Sequence, residues 1–140
     1  TEYDNAFDIL RAIDDFLTRR GYYQTLADYY LELVTVYQQQ EEQTNWNYAA
    51  SLNSLGNAYY SLGEYQKAIE FYQQSLAITR EIGDRGGEAK SWFNLGFTYY
   101  KLDRISEAKE AYLQSRELYQ ALGLAADVQK CDRAIRRLET

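Results

Sequence analysis

"NSLGNAYYSLGEYQKAIEFYQQSLAI", residues 53–78, is echoed forty residues later by "FNLGFTYYKLDRISEAKEAYLQSREL", residues 93–118. Setting 51–90 against 91–130 without a gap pairs Ser51 with Ser91, Leu55 with Leu95, Gly56 with Gly96, Tyr59 with Tyr99 and Tyr60 with Tyr100. The agreement runs on through Leu62 and Leu102, Ala68 and Ala108, Tyr72 and Tyr112, Ser75 and Ser115, and Gly83 and Gly123. Matches at one fixed offset mark a repeated supersecondary unit. Within a unit the apolar spacing is helical: Tyr65, Ala68, Ile69, Tyr72, Leu76 and Thr79 share a face, as do Trp92, Leu95, Gly96, Tyr99 and Leu102. No stretch alternates with the strand period over a useful length, so the fold class is all-α.

Each unit divides into two helices. "SLGEY" (61–65) and "KLDRI" (101–105) are the breaks, with Gly63 suited to a left-handed helix exit. "EIGDRGGEA" (81–89) separates one unit from the next, with Gly83 as the stop and Asp84 as the next N-cap. Gly56 and Gly96 lie inside helices, where glycine costs about 1 kcal/mol relative to alanine. A repeated cost needs a repeated reason. Close helix approach supplies one, with Ala68 and Ala108 expected to be the small residues facing them.

The two ends depart from this regularity. "RGYYQTLADYY" (20–30) resembles "LGEYQKAIEFY" (62–72) at an offset of 42, which places Leu10, Ile13 and Leu17 where Leu52, Leu55 and Tyr59 sit. Asp14 then replaces Gly56 and Leu26 replaces Ala68, so residues 1–42 read as a degenerate first unit with a looser helix contact. Units two and three span 44–83 and 84–123. In 124–138, Leu124, Val128, Cys131, Ile135 and Leu138 fall on one face of a single amphipathic helix that covers the end of the stack. The expectation is seven helices, three hairpins and a cap.

Composition excludes much. The chain has 140 residues, a net charge of −6 and no histidine, proline or methionine. It begins without methionine and reads as a segment of a longer polypeptide. The missing histidine removes the commonest acid–base group and metal ligand. Asp14-Asp15 and Glu41-Glu42 are adjacent on helices and do not converge, and Asp4 and Asp8 share a face with no further ligand to complete a metal cage. All read as solvated acidic faces. "GDRGG" (83–87) follows a helix rather than a strand and lacks the Lys-Ser/Thr of a nucleotide loop, so it reads as a turn. Ser51, Ser54 and Ser91 have no histidine to activate them. The expectation is no enzyme, no cofactor and no metal. Acidic balance opposes nucleic acid and anionic lipid, and no apolar run approaches the roughly 18 residues of a membrane span. The lone Cys131 sits on a helical apolar spacing, where small-residue packing suits it, and a reducing, cytoplasmic compartment is expected.

The order Leu/Trp, Leu-Gly, Tyr, then Ala, Tyr and Ser resembles the tetratricopeptide repeat, at Leu52, Leu55, Gly56, Tyr59, Ala68, Tyr72 and Ser75. Trp92, Leu95, Gly96, Tyr99, Ala108, Tyr112 and Ser115 form the next copy. Arg80 and Gln120 stand where that repeat usually has proline, and the 40-residue period is similar to the longer variety found in kinesin light chains and Leu-Gly-Asn adaptors. The resemblance implies a right-handed α-α superhelix with a concave groove lined by the first helix of each pair. Carried over, the groove comprises Asn53, Ser54, Asn57, Tyr60 and Ser61 from unit two. Unit three supplies Lys90, Phe93, Asn94, Phe97, Tyr100 and Lys101, the cap Lys130, Arg133 and Arg137, and unit one Arg11, Asp15, Thr18 and Arg19.

Phe93, Phe97 and Tyr100 either form an exposed apolar patch or pack against the cap. Asn57 and Asn94 either meet a peptide backbone or are solvated amides. Some members of the family grip a C-terminal carboxylate with two asparagines and three basic residues. Asn57, Asn94 and Lys130 match that set, whereas Asn53 and Ala134 stand where basic residues are expected, with Arg133 and Arg137 on adjacent turns. The function implied is a non-catalytic protein-interaction module holding a peptide of a protein partner. Weak self-association, or bracing of a neighbouring domain, is the rival.

Overall fold

The structure, a computed structural model, describes residues 2–40 and 45–140; Glu41-Glu42 and the junction between the first two units lie outside them. Seven helices run through the described residues: α1 Glu2–Arg19, α2 Tyr23–Gln38, α3 Trp46–Ser61, α4 Tyr65–Ile82, α5 Arg85–Lys101, α6 Ile105–Ala121 and α7 Ala125–Leu138. Helices α1/α2, α3/α4 and α5/α6 pair as hairpins, α2 packs on α3 and α4 on α5, and α7 closes on α6. The result is an all-α superhelical stack.

Five of the helix exits share one hydrogen-bond pattern. At the end of α3 the Gly63 N–H donates to the Tyr60 carbonyl (2.9 Å) and the Glu64 N–H to that of Tyr59 (2.9 Å). The same pair of bonds recurs at Asp103 and Arg104, at Gly123 and Leu124, at Gly21 and Tyr22, and at Gly83 and Asp84. It satisfies carbonyls that a helix end leaves orphaned. The pattern needs a left-handed residue, and unit three supplies Asp103 (φ 57°) where unit two has Gly63 (φ 79°). An L-residue pays about 1–2 kcal/mol there, partly offset by about 0.5–1 kcal/mol of extra glycine entropy in the unfolded chain. Asp103→Gly is therefore expected to stabilise the fold by about 0.5 kcal/mol, and Gly63→Asp to destabilise it. Thermal melts of both variants check this; two shifts of the same sign would contradict it.

Between α4 and α5 only Gly83 and Asp84 are non-helical. The sequence suggested a longer separator, but Gly86 and Gly87 already belong to the first turn of α5. Asp84 caps that turn, its carboxylate accepting from the Gly87 N–H at 2.9 Å.

Packing repeats as faithfully as sequence. Ser75 Oγ donates to the Ala49 carbonyl and Ser115 Oγ to the Ala89 carbonyl, both at 2.8 Å. Between successive units, Ser91 Oγ meets Ser75 Oγ at 3.3 Å, and Cys131 Sγ meets Ser115 Oγ at 3.5 Å. Cys131 thus fills in α7 the stacking slot that Ser91 fills in α5. It is fully buried, and burial pushes its thiol pKa up, which keeps it protonated and inert.

The interior glycines sit at close helix approaches. A Cβ on Gly56 would lie 2.5 Å from Tyr72 Cε1, and one on Gly96 would lie 2.8 Å from Tyr112 Cδ1. The atoms nearest each glycine thus belong to a tyrosine ring on the second helix, and the small Ala68 and Ala108 of those helices are fully buried.

In unit one, Asp14 stands at the glycine position and Tyr30 at that of Tyr72. The Tyr30 hydroxyl donates to Asp14 Oδ2 at 2.8 Å, so a hydrogen bond replaces ring-on-glycine packing. Phe7 is the buried residue of α1. Ile13, expected in the slot of the fully buried Leu55, is instead 39% exposed. Leu55 lies under α2 of the preceding unit, and among the described residues no helix precedes α1. Leu124 departs from expectation too: it precedes α7 as its N-cap and is exposed, whereas Val128, Ile135 and Leu138 pack inward.

Candidate functional site

Helices α1, α3 and α5 turn one face each toward a cleft of about 540 Å³ that reaches α7. Its wall includes Arg11, Trp46, Asn53, Ser54, Lys90 and Asp127. Helical period puts Asn53 and Asn57 on one side of α3, and Asn94 stands on the facing side of α5. Asn94 Nδ2 donates to Asn53 Oδ1 at 3.0 Å and lies 3.4 Å from Asn57 Oδ1. The Tyr72 hydroxyl, rising from α4, donates to the same Asn57 oxygen at 2.7 Å. Three amides and a phenol thus form one cross-helix row. The sequence offered each asparagine singly; their contact depends on the lateral spacing of α3 and α5.

Beyond the row, Tyr60 stacks on Phe97, with ring centroids 4.4 Å apart and planes 22° from parallel. Tyr65 packs on the other edge of Tyr60, and burial among these rings pushes the Tyr60 pKa up to about 12. The two readings of the aromatic trio divide by residue. Phe93 packs against Tyr112 and is covered by α7, with Lys130 Nζ 4.3 Å from its ring centroid. Phe97 and Tyr100 stay exposed.

Of the basic residues, Arg11 and Lys90 line the cleft, Lys130 lies over Phe93, Lys101 is exposed in the last turn of α5, and Arg137 is exposed on α7. Arg133 lines a shallow cleft with Gln129, Asp132, Arg136 and Glu139 at the end of the stack. In unit one Thr18 donates to Asp14 at 3.0 Å, and Asp15 and Arg19 are exposed. Among the described residues no group of three or more Cys, Asp and Glu side chains could hold a metal ion, and no helix is long and apolar enough to cross a membrane.

The family model for the tetratricopeptide repeat matches residues 15–81 and 47–121. This chain belongs to the tetratricopeptide repeat family. Among curated proteins, this TPR chain is 49% identical over 47 residues to G-protein-signaling modulator 1 of Mus musculus, and 47% identical over the same length to that of Homo sapiens. These matches take in 34% of the chain and 7% of the relatives' length, so it spans a small part of them. Among solved structures it is similar to RapI (TM-score 0.84, 15% identity, covering 99% of this chain and 38% of that one). It is also similar to BtubC from P. vanneervenii (TM-score 0.79, 22% identity, 92% and 52%). A third likeness is a putative kinesin light chain of Podosopora anserina with nearly identical TPR-like repeats (TM-score 0.67, 18% identity, 98% and 73%). At these identities the structural likeness establishes the fold.

With Asp127, Trp46 is one of the cleft residues that sequence reasoning passed over. It is half-exposed and meets the Phe7 ring edge-on at 5.9 Å. A signal existed: at the repeat offset Trp46, Asn47 and Ala50 correspond to Gly86, Gly87 and Lys90. The TPR copies differ at these three positions, all in the first turns of α3 and α5.

Proposed function

We propose that this chain is a non-catalytic protein-interaction module that holds an extended peptide of a protein partner along the inner face of α3 and α5. The amide row carries the reading. Asn94 spends its N–H2 on its neighbours, which leaves Asn94 Oδ1 as an acceptor and the N–H2 groups of Asn53 and Asn57 as donors. A peptide backbone offers the complementary alternation, and side chains already fixed by one another lose little entropy on binding. Phe97 and Tyr100 at one end and Trp46 at the other provide apolar contacts for flanking side chains. Similarity to a G-protein-signaling modulator is in keeping with a protein partner.

A random dodecapeptide phage library selected on the chain, followed by titration of the enriched peptide, tests this. Substituting Asn57, Asn94 and Lys130 together by alanine is expected to weaken that peptide about tenfold or more, roughly one lost backbone hydrogen bond to a buried partner, with helicity retained. Unchanged affinity in the folded triple variant, or selection that enriches nothing, would sink the groove assignment.

A further inference from the structure

All three units carry a tyrosine at one slot of the second helix: Tyr30, Tyr72 and Tyr112. Their phenols have different surroundings. Tyr30 donates to Asp14, which stands at the interior glycine position of unit one. In unit three Phe97 takes the slot of Asn57, so Tyr112 has no amide there to orient. Tyr72 reaches the amide row, donating to Asn57 Oδ1 at 2.7 Å. It is 1% exposed, and among the described residues that oxygen is the acceptor of its O–H.

An asparagine can turn either its oxygen or its N–H2 toward a neighbour, so the row has two polarities. In the structure Asn94 Nδ2 points at the oxygens of Asn53 (3.0 Å) and Asn57 (3.4 Å), which leaves two N–H2 groups flanking one carbonyl in the groove. Reversed, Asn53 and Asn57 would donate to Asn94 Oδ1, and two carbonyls would flank one N–H2. Inside the row the two arrangements make equivalent contacts. Tyr72 separates them. Reversal aims the Asn57 N–H2 at the phenol oxygen, which can accept it, but the buried O–H then loses its acceptor, and a buried donor left unmade is costly. Asn94 bridges both of its neighbours, so fixing Asn57 fixes all three amides.

We infer that Tyr72 is a positioning residue of this groove: its phenol sets the row to donor, acceptor, donor, and so obliges a bound segment to place one backbone N–H on Asn94 Oδ1. The demand on the ligand rests on the peptide reading of the groove; the polarity of the row does not.

Melting of the free chain tests the polarity. Asn53→Asp and Asn57→Asp keep an oxygen facing Asn94 Nδ2 and should melt within about 2 °C of the parent. Asn94→Asp sets a carboxylate against two oxygens and should lower the midpoint by about 4 °C or more. All three variants add the same charge, so the pattern among them decides the polarity even if Tyr72→Phe does not fold. Tyr72→Phe keeps its ring on Gly56, and on that background the Asn94→Asp loss should shrink by about half or more, because Asn57 is then free to turn its N–H2 inward. Strictly additive losses, or an Asn57→Asp loss as large as that of Asn94→Asp, would overturn the proposal whatever the groove binds.

The ligand demand is read by N-methylating the phage-selected peptide one residue at a time. One position should cost about tenfold or more in affinity for the parent chain, and that selectivity should flatten severalfold on Tyr72→Phe. A tyrosine that only supported the stack would weaken every peptide alike and leave the selectivity unchanged, which would overturn the positioning role. The expected melting pattern with no sensitive position would overturn the ligand demand and the peptide reading with it, while Tyr72 would still set the row.

Discussion

Gly56→Leu is expected to destabilise the fold by about 3 kcal/mol or more, the upper end of what overpacking a core costs. The first added carbon alone would sit 2.5 Å from Tyr72 Cε1 and 2.7 Å from Cδ1. That ring cannot step aside cheaply, since it is 1% exposed and its hydroxyl is tied to Asn57. Leucine adds three further carbons and forces α3 and α4 apart. The gain of about 1 kcal/mol in helix propensity over glycine offsets only part of this. Gly96→Leu should behave alike through Tyr112. Gly86→Ala is the control, because its new carbon would meet only Asp84 Oδ1, at 3.7 Å. That variant should be neutral or slightly stabilising. Urea unfolding followed by circular dichroism measures all three; a Gly56→Leu midpoint within error of the parent would refute the ring-on-glycine account.

The same contact shows how far sequence reading reached. Repetition at offset 40 located the helices and the hairpin breaks, because every signal was stated twice. It marked Gly56, Ala68 and Tyr72 as repeating together without saying which two touch. That depends on the crossing of two helices, which a linear pattern does not encode, so the ring lying on the glycine was not foreseen. Unit one was harder to read, since Asp14 for Gly56 exchanges a packing contact for a hydrogen bond to Tyr30. Ile13 looked like core by period alone. Its exposure depends on whether a neighbouring helix covers it, and periodicity is silent on that.

For the candidate site, the resemblance to the tetratricopeptide repeat implied that Asn53, Asn57 and Asn94 line the groove, and the structure brings their side chains together in one row. Repetition helped less here, for a physical reason. Positions that build a solenoid must recur from unit to unit, whereas a groove that recognises one ligand must differ along its length. Trp46 against Gly86 and Ala50 against Lys90 are such differences, and a search for agreement steps over them. Among the cationic side chains, Lys130 was expected in the groove; its ammonium lies over Phe93, so its stem also serves the packing of α7.

Alkali should unfold this chain through its tyrosines. Burial raises the phenol pKa of Tyr37, Tyr112 and Tyr119 to about 12, as it does that of Tyr60, and Tyr30 and Tyr72 are pushed up further. Neighbouring carboxylates add to the effect, Asp14 beside Tyr30 and Asp4 beside Tyr37. A phenol whose folded pKa exceeds its unfolded value of about 10 supports the fold in full below that pH. Above it the unfolded chain releases protons that the folded chain retains, so stability falls with rising pH, by at most about 1.4 kcal/mol per unit for each such phenol. Several titrating together can exhaust the 5–15 kcal/mol or so of a typical domain within a narrow interval. Helicity is therefore expected to hold through pH 9 and to collapse cooperatively between pH 10 and 12. Phenolate absorbance from the buried tyrosines should appear in that same step. Tyr112→Phe removes one titrating group while keeping its ring on Gly96, and should move the midpoint to higher pH. Helicity that outlasts complete phenolate formation, or a midpoint unmoved in Tyr112→Phe, would show that these rings ionise without leaving their sites.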